Sequence, residues 1–205
     1  MPPIPELEAI RKAQILEAAM GAIAQSGSAR VTMADICRAA GLSKGGLAHY
    51  YKSKQALFKE VFTEFFKQIF ERGRDTMVQF EDPLEKLLSF VWLYNREDPD
   101  AAIGYPILFD FMSSAVHDTE YQEIFNQWVK NWLALLKEAV LLGQSRGLFK
   151  GIDADAAARA ISAIYQGIAT RWYLAPSLHS SEWAKRTLKR AVTALLASYE
   201  NQPQQ

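Results

Sequence analysis

One cysteine, Cys37, stands in a chain of 205 residues. A single thiol excludes an internal disulfide framework and any all-cysteine zinc site, and it fits a reducing compartment. Histidine is nearly as scarce, at positions 49, 117 and 179. The residues three before them are Gly46, Ser114 and Pro176, so the Glu-x-x-His pair of a bundle di-iron site is missing. Neither a P-loop nor a Gly-x-Ser-x-Gly motif occurs. These gaps argue against an enzyme, and no metal or cofactor is expected. No apolar run is long enough to span a bilayer, so no membrane partner is expected. The opening "MPPIPELEAIRKAQ" has no apolar core of the signal-peptide kind, and a cytoplasmic location is expected.

An excess of either charge is also missing, with 23 basic residues against 23 acidic ones. The balance conceals an asymmetry. Between Arg30 and Lys59 lie six basic residues (Arg30, Arg38, Lys44, Lys52, Lys54 and Lys59) against Asp35 alone, a local net charge of +5. The rest of the chain carries the compensating −5. Such a cluster reads either as a surface facing a polyanion or as a solvated helical face.

Strand alternation is absent and helical periodicity is everywhere. Residues 6–26 place Ile15, Leu16, Ala19, Met20 and Ile23 on one face and stop at Gly27. Thr32 caps a short helix over 33–40, Ser43 caps another over 44–50, and Ser53 caps a longer one from Lys54 to about Val78. Prolines at 83 and 99 bracket a helix from about Leu84 to Arg96. Further helices are expected over about 100–116, irregular at Gly104 and Pro106, from about 118 to 146, over 153–174, and over 180–199. The expectation is an all-α protein of about nine helices: an N-terminal three-helix domain over 1–53, and a helical domain over 54–205.

The stretch "GLSKGGLAHYYKSKQALF" departs from ordinary helix design. Residues 32–50 form a short helix, a tight turn at Gly41-Leu42, and a second short helix. Ile36, Ala40, Leu42 and Leu47 stand where two crossing helices would touch. This is the layout of a helix-turn-helix, whose second helix enters the major groove. Two adjacent glycines cost a helix about 1 kcal/mol each. Close approach to a sugar-phosphate backbone is a reason to keep them. On this reading Thr32, Ser43, Lys44, Gly45, Gly46, His49, Tyr50 and Lys54 form the DNA-binding set. Helix N-termini at Thr32 and Ser43 suit phosphates, and Lys44 reaches a base edge or a phosphate. Tyr51 alternatively packs beneath the helix.

The segment "VTMADICRAAGLSKGGLAHYYKSKQALFKEVF" strongly resembles the N-terminal domain of the tetracycline-repressor (TetR) family of transcriptional regulators. The shared residues are Thr32, Ile36, Ala40-Gly41, Ser43-Lys44-Gly45, Leu47, Tyr50-Tyr51, Ser53-Lys54 and Ala56-Leu57-Phe58, over roughly residues 8–60. Typical members carry a Thr and a Tyr that contact DNA where this chain has Gly46 and Ala48. Those two positions therefore offer backbone approach only, and readout shifts toward Lys44 and His49. The resemblance implies a homodimeric repressor of a palindromic double-stranded operator, relieved by a small-molecule effector bound in an all-helical C-terminal domain.

Two further sets follow for that domain. Ala160, Ile161, Ile164, Gly167 and Ile168, with Leu188, Val192, Leu195 and Tyr199, suit a four-helix dimer interface. The alternative is an intrachain core face. Phe62, Phe66, Trp92, Phe109, Met112, Trp128, Trp132 and Tyr165 are the candidates to line a pocket for a hydrophobic or aromatic ligand. Asn95, Asp110, His117, Asn131, Gln166 and Arg171 are its candidate polar partners. A rival reading is a helical small-molecule carrier with a vestigial DNA-binding domain.

Overall fold

The computed structural model describes residues 5–200. Among them are nine α-helices, one 3₁₀ helix and no strand. The helices are α1 (Pro5–Ser26), α2 (Met33–Ala39), α3 (Lys44–Tyr50), α4 (Lys54–Val78), α5 (Pro83–Leu88), α6 (Pro99–Ala115), α7 (Thr119–Ser145), α8 (Ala154–Leu174) and α9 (Ser181–Glu200). The all-α expectation is met, and most boundaries fall within a residue or two of those read from caps and prolines. The closing "NQPQQ", whose sequence predicts a frayed tail, lies outside the described residues.

One element differs. The single helix expected over 84–96 is instead α5 followed by a 3₁₀ helix, Ser89–Tyr94. The Ser89 hydroxyl donates to the Lys86 carbonyl at 2.8 Å, and Phe90 leaves helical geometry at φ −83°, ψ 24°. A serine that bonds its own helix backbone offers the chain a way out of the α-ladder. Conversely, α6 runs on through Gly104 and Pro106, where an irregularity was expected.

The chain divides into two compact units, one of residues 1–68 and 102–125, the other of 69–101 and 126–205. The packing units do not follow a boundary at Ser53-Lys54, because the first fifteen residues of α4 and most of α6 belong with α1–α3. In the first unit the core gathers Ile15, Ile23, Ile36, Leu47, Leu57, Phe62 and Phe111, all essentially inaccessible. Phe62 meets Phe111 at 4.8 Å and Tyr121 at 5.5 Å, and Phe66 meets Phe111 at 4.8 Å. Edge-to-face pairs of this kind add to the burial term.

The second unit has its own aromatic core. Phe90 lies 4.8 Å from Trp132 and 5.6 Å from Tyr165. The Tyr165 hydroxyl donates to the Leu87 carbonyl at 2.7 Å, and the Tyr94 hydroxyl donates to the Tyr165 carbonyl at 3.2 Å. Burial pushes the Tyr165 phenol well above the ordinary tyrosine range. A Cβ placed on Gly73 would stand 2.6 Å from Cη2 of Trp132, so this glycine lets the indole lie against α4. α8 and α9 pack side by side, with Ile161, Trp172, Leu188 and Val192 fully covered.

Candidate nucleic-acid interface

α2 begins with a complete capping box. The Thr32 hydroxyl accepts from the Asp35 N–H at 3.2 Å, and the Thr32 N–H donates to the Asp35 carboxylate at 2.9 Å. The hydroxyl proton also goes to Asp35, at 2.6 Å. These bonds hold the Asp35 carboxyl below its usual range, with the Thr32 hydroxyl the first cause. Thr32, expected to hold a phosphate, thus spends its own hydroxyl and N–H on Asp35. Both donors of that residue are committed internally, and an anion already occupies the first turn of α2.

The turn into α3 follows from one glycine. Gly41 takes φ +63°, a left-handed conformation that suits glycine. The Leu42 N–H then reaches back to the Cys37 carbonyl at 2.9 Å and closes the end of α2. Ser43 caps α3 by accepting from the Gly46 N–H at 3.0 Å. Leu47 anchors the helix in the core of the first unit, and Tyr51 is buried beneath its end. Burial, with Glu60 nearby, pushes the Tyr51 phenol well above the ordinary range. Lys12 joins this group, 2.9 Å from Glu60 and 5.8 Å over the Tyr51 ring.

With Leu47 inward, α3 turns Lys44, Gly45, Ala48 and His49 to solvent. Lys44 has no hydrogen bond or ion pair among the described residues. The His49 ring stands edge-on to the half-buried Tyr50 at 5.2 Å. Lys52 caps the end of α3, donating to the Ala48 carbonyl at 3.0 Å. Lys54 reaches the Ala29 carbonyl at 3.5 Å and lies 5.1 Å over the Phe58 ring, so it braces the turn after α1.

The two glycines separate. A Cβ on Gly45 would meet nothing nearer than Ser43 Oγ at 4.0 Å. On Gly46 it would stand 3.3 Å from Ser43 Oγ and 3.7 Å from Leu42. Gly46 thus has a reason inside the fold, because it protects the cap. Gly45 has none there.

The structure distributes the remaining candidates unevenly. Phe62, Phe66, Phe109 and Met112 lie in the first unit; Trp92, Trp128, Trp132 and Tyr165 lie in the second. Of the polar candidates, Asn95 accepts from the Glu97 N–H at 3.2 Å, Asn131 accepts from Gln127 at 2.9 Å, and Arg171 donates to the Gly167 carbonyl at 3.0 Å. His117 is exposed. Asp110 and Gln166 each keep one buried polar atom without a partner among the described residues.

The dimer set needs a correction. Ile161, Ile168, Leu188 and Val192 are buried within the chain itself, so they have little surface left for a second copy. Ala160, Ile164, Gly167, Leu195 and Tyr199 stay partly open. Sequence reading placed Asp110 among the polar candidates of a pocket and missed its tie to Ser28, whose N–H donates to Asp110 Oδ1 at 3.1 Å. A contact between positions 28 and 110 leaves no local signal in the chain.

Comparison with known proteins agrees with this geometry. The family model "Bacterial regulatory proteins, tetR family" matches residues 15–61, and "BetI-type transcriptional repressor, C-terminal" matches residues 83–197, more than half of the chain. The HTH-type transcriptional repressor KstR2 of Mycolicibacterium smegmatis is 27% identical over 84% of this chain and 83% of its own length. The HTH-type transcriptional regulator PksA of Bacillus subtilis is 26% identical over 90% of this chain and 89% of its own. Among solved structures, a transcriptional regulator from Saccharomonospora viridis in complex with choline has a TM-score of 0.81 at 20% identity, over 90% of this chain and 96% of that one. A TetR transcription regulator from Haloarcula marismortui has a TM-score of 0.74 at 23% identity, over 93% of this chain and 98% of that one. Helix-turn-helix, helical C-terminal region and sequence relatives agree: the chain belongs to the tetR family of bacterial transcriptional regulators, with a C-terminal region of the BetI type.

Proposed function

We propose that the chain acts as a homodimeric repressor that reads a two-fold-symmetric operator through α3 and releases it on binding an apolar or aromatic small molecule. The observation that carries the DNA half is α3 itself. Its Lys44 and His49 are exposed on a helix anchored by Leu47, and its Gly45 has no role inside the fold. Lys44 supplies charge to a guanine edge or a phosphate, His49 a donor at the far end, and Gly45 the clearance that brings the helix close. Ser43 keeps its hydroxyl proton as a further donor. Two such helices in one dimer fit major grooves about 34–36 Å apart.

Functionally the division falls at Ser53-Lys54, with DNA reading before it and effector binding and dimerisation after it. α4 contributes residues to both packing units, which suits it to carry the response. The partly open strip of Ala160, Ile164, Gly167, Leu195 and Tyr199 supports pairing through α8 and α9. A Cβ on Gly167 would meet only the Arg171 guanidinium at 3.7 Å, so this glycine too has room that its own chain does not require. For release, the ligand needs a preference for the non-binding conformation worth about 1–3 kcal/mol.

The test is an electrophoretic shift with the DNA upstream of the chain's own gene, repeated in rising salt. A retarded band that weakens with salt supports the reading. No retardation at low salt, from a folded protein that binds small molecules, favours the carrier.

A further inference from the structure

α1 has two unlike faces. Ile15, Leu16, Ala19, Met20 and Ile23 are buried in the core of the first unit. At about 100° per residue, the opposite face carries Leu7, Ile10, Gln14, Ala18, Gly21 and Gln25. None of these six is charged, although the outer face of a surface helix ordinarily is. Leu7 and Ile10 stand 58% and 56% exposed. At the other end of the same face the surface is hollow. A Cβ on Gly21 would meet nothing within 4 Å. An open groove of about 640 Å³ lies there between α1 and α2, and Ala18, Gly21, Ala22, Arg30, Asp35 and Arg38 are among the residues that line it.

Bulk and hollow are spaced evenly about Gln14. Leu7 precedes it by as much as Gly21 follows it, and Ile10 precedes it by as much as Ala18 follows it. An antiparallel copy of α1, laid with Gln14 against Gln14, therefore sets Leu7 over Gly21 and Ile10 over Ala18. One two-fold axis repeats both contacts. Large side chains enter the spaces that small ones leave, as packed helices require. Each Gln14 amide carries both donors and an acceptor, so the pair at the centre can satisfy itself. Charge points the same way. α1 opens with Glu6 and Glu8, while its far end holds Arg30, whose Nε donates to the Ser26 carbonyl, and Arg38. Asp35 in that groove is already bonded to Thr32 and Arg38. Antiparallel pairing brings the acidic end of each helix to the basic end of the other. Parallel pairing would set Glu against Glu and leave the groove empty.

We propose that the outer face of α1 docks a second copy of this chain, whose own α1 lies across it antiparallel with the two Gln14 side chains at the two-fold centre. The contact is separate from pairing through α8 and α9. One helix from each copy makes it the smaller of the two, so it forms where chains are concentrated, as on adjacent stretches of DNA. Combined with the α8–α9 pairing read above, it links one dimer to the next and lets bound repressors assist one another. That consequence rests on the α8–α9 reading; the α1 contact itself does not.

The test is oxidative cross-linking of the full chain through single introduced cysteines, which traps even a weak contact. The parent, whose Cys37 is buried, serves as the blank. Gln14→Cys is expected to form disulfide-linked pairs, and Gln25→Cys, far from the two-fold centre, is expected not to. Leu7→Cys mixed with Gly21→Cys should link more than either alone. Adding Ile10→Lys places a charge in the contact and is expected to slow linking at Gln14→Cys about tenfold. Position 10 is exposed, so the fold is expected to survive, and circular dichroism checks it. Equal linking at Gln14→Cys and Gln25→Cys is the mark of random collision and overturns the pairing. So does no linking at Gln14→Cys, or linking that Ile10→Lys leaves unchanged. Leu195→Glu is measured in parallel to keep the two contacts apart. Linking at Gln14→Cys that survives Leu195→Glu belongs to α1 alone; linking that vanishes with it overturns the separate surface.

Discussion

Asp110 Oδ1 accepts a hydrogen bond from the Ser28 N–H at 3.1 Å, so a carboxylate on α6 holds the turn that leads from α1 into the helix-turn-helix. The same oxygen stands 3.3 Å from where a Cβ on Gly27 would be, and Gly27 takes φ +76°. Asp110→Ala is expected to speed exchange of the Ser28 amide and to cost about 1–3 kcal/mol, the range for a buried partner left unmet. Asp110→Asn keeps an acceptor and should retain most of that protection. Hydrogen exchange followed by NMR measures both; an unprotected Ser28 amide in the parent protein would refute the contact.

Lys44 and His49 are exposed and make no hydrogen bond or ion pair that the fold depends on. Lys44→Ala should leave the melting temperature within about 1 kcal/mol of stability and weaken operator binding. If Lys44 meets a phosphate, the log-log salt slope, near −5 for about six neutralised phosphates, falls by about one. If it meets a base edge, the slope holds and discrimination at that position is lost. Parent-like operator binding by both Lys44→Ala and His49→Ala would mean that α3 is not the reading helix.

Gly45→Ala separates the fold's needs from those of DNA. The new methyl group meets nothing nearer than 4.0 Å in the free chain. Helix propensity then predicts a gain of about 1 kcal/mol. Operator affinity is expected to fall at the same time. Gly46→Ala, with Ser43 Oγ at 3.3 Å, should show a smaller gain or a loss. A Gly45→Ala protein that is more stable and binds DNA unchanged would remove the clearance argument.

Asp98 gives the protein an acid-sensitive brace. Its carboxylate accepts from the Arg72 guanidinium at 2.7 and 2.6 Å. Those bonds, ahead of the backbone N–H groups of Ala101 and Asp100, hold its carboxyl below the usual range. A depressed folded value means that the brace is in place above the unfolded pKa of about 3.9 and is lost as pH falls through the lower folded value. Asp98→Asn should therefore be less stable at neutral pH and lose less on acidification below about pH 4. Urea midpoints on either side of that pH give the comparison; parallel losses in both proteins would contradict it.

Leu188 and Leu195 occupy the same helix and should fail differently. Leu188 is fully buried in its own chain, while Leu195 is half-open. Leu188→Glu is expected to unfold the second unit, by the cost of an unpaired buried charge. Leu195→Glu should leave helicity intact and shift the protein from dimer toward monomer. Light scattering with circular dichroism distinguishes the two, and a folded Leu195→Glu dimer would move the interface elsewhere.

The capping residues made much of the fold legible in advance. Thr32 and Ser43 each accept from a backbone N–H at the helix starts read from them, and Pro83 stands at the start of α5, where the proline marked a break. The 3₁₀ helix over 89–94 was not legible, because Leu87, Phe90, Val91 and Tyr94 keep an ordinary helical spacing while a serine hydroxyl redirects the backbone. The α8 stripe was half legible. Its apolar residues cover both an inward face against α9 and an outward strip, and periodicity cannot tell Ile161 from Ile164. The aromatics looked like a single group on paper, yet they belong to two units, since assignment depends on long-range packing that residue type does not encode.

Gly73 has a mechanical consequence. With Cη2 of Trp132 standing 2.6 Å from its missing Cβ position, α4 carries a notch at that level into which one indole fits. Turning α4 by one residue, about 100°, would present Arg72 or Arg74 to the ring in place of the notch. The rotational register of α4 is therefore indexed at this level by a single indole.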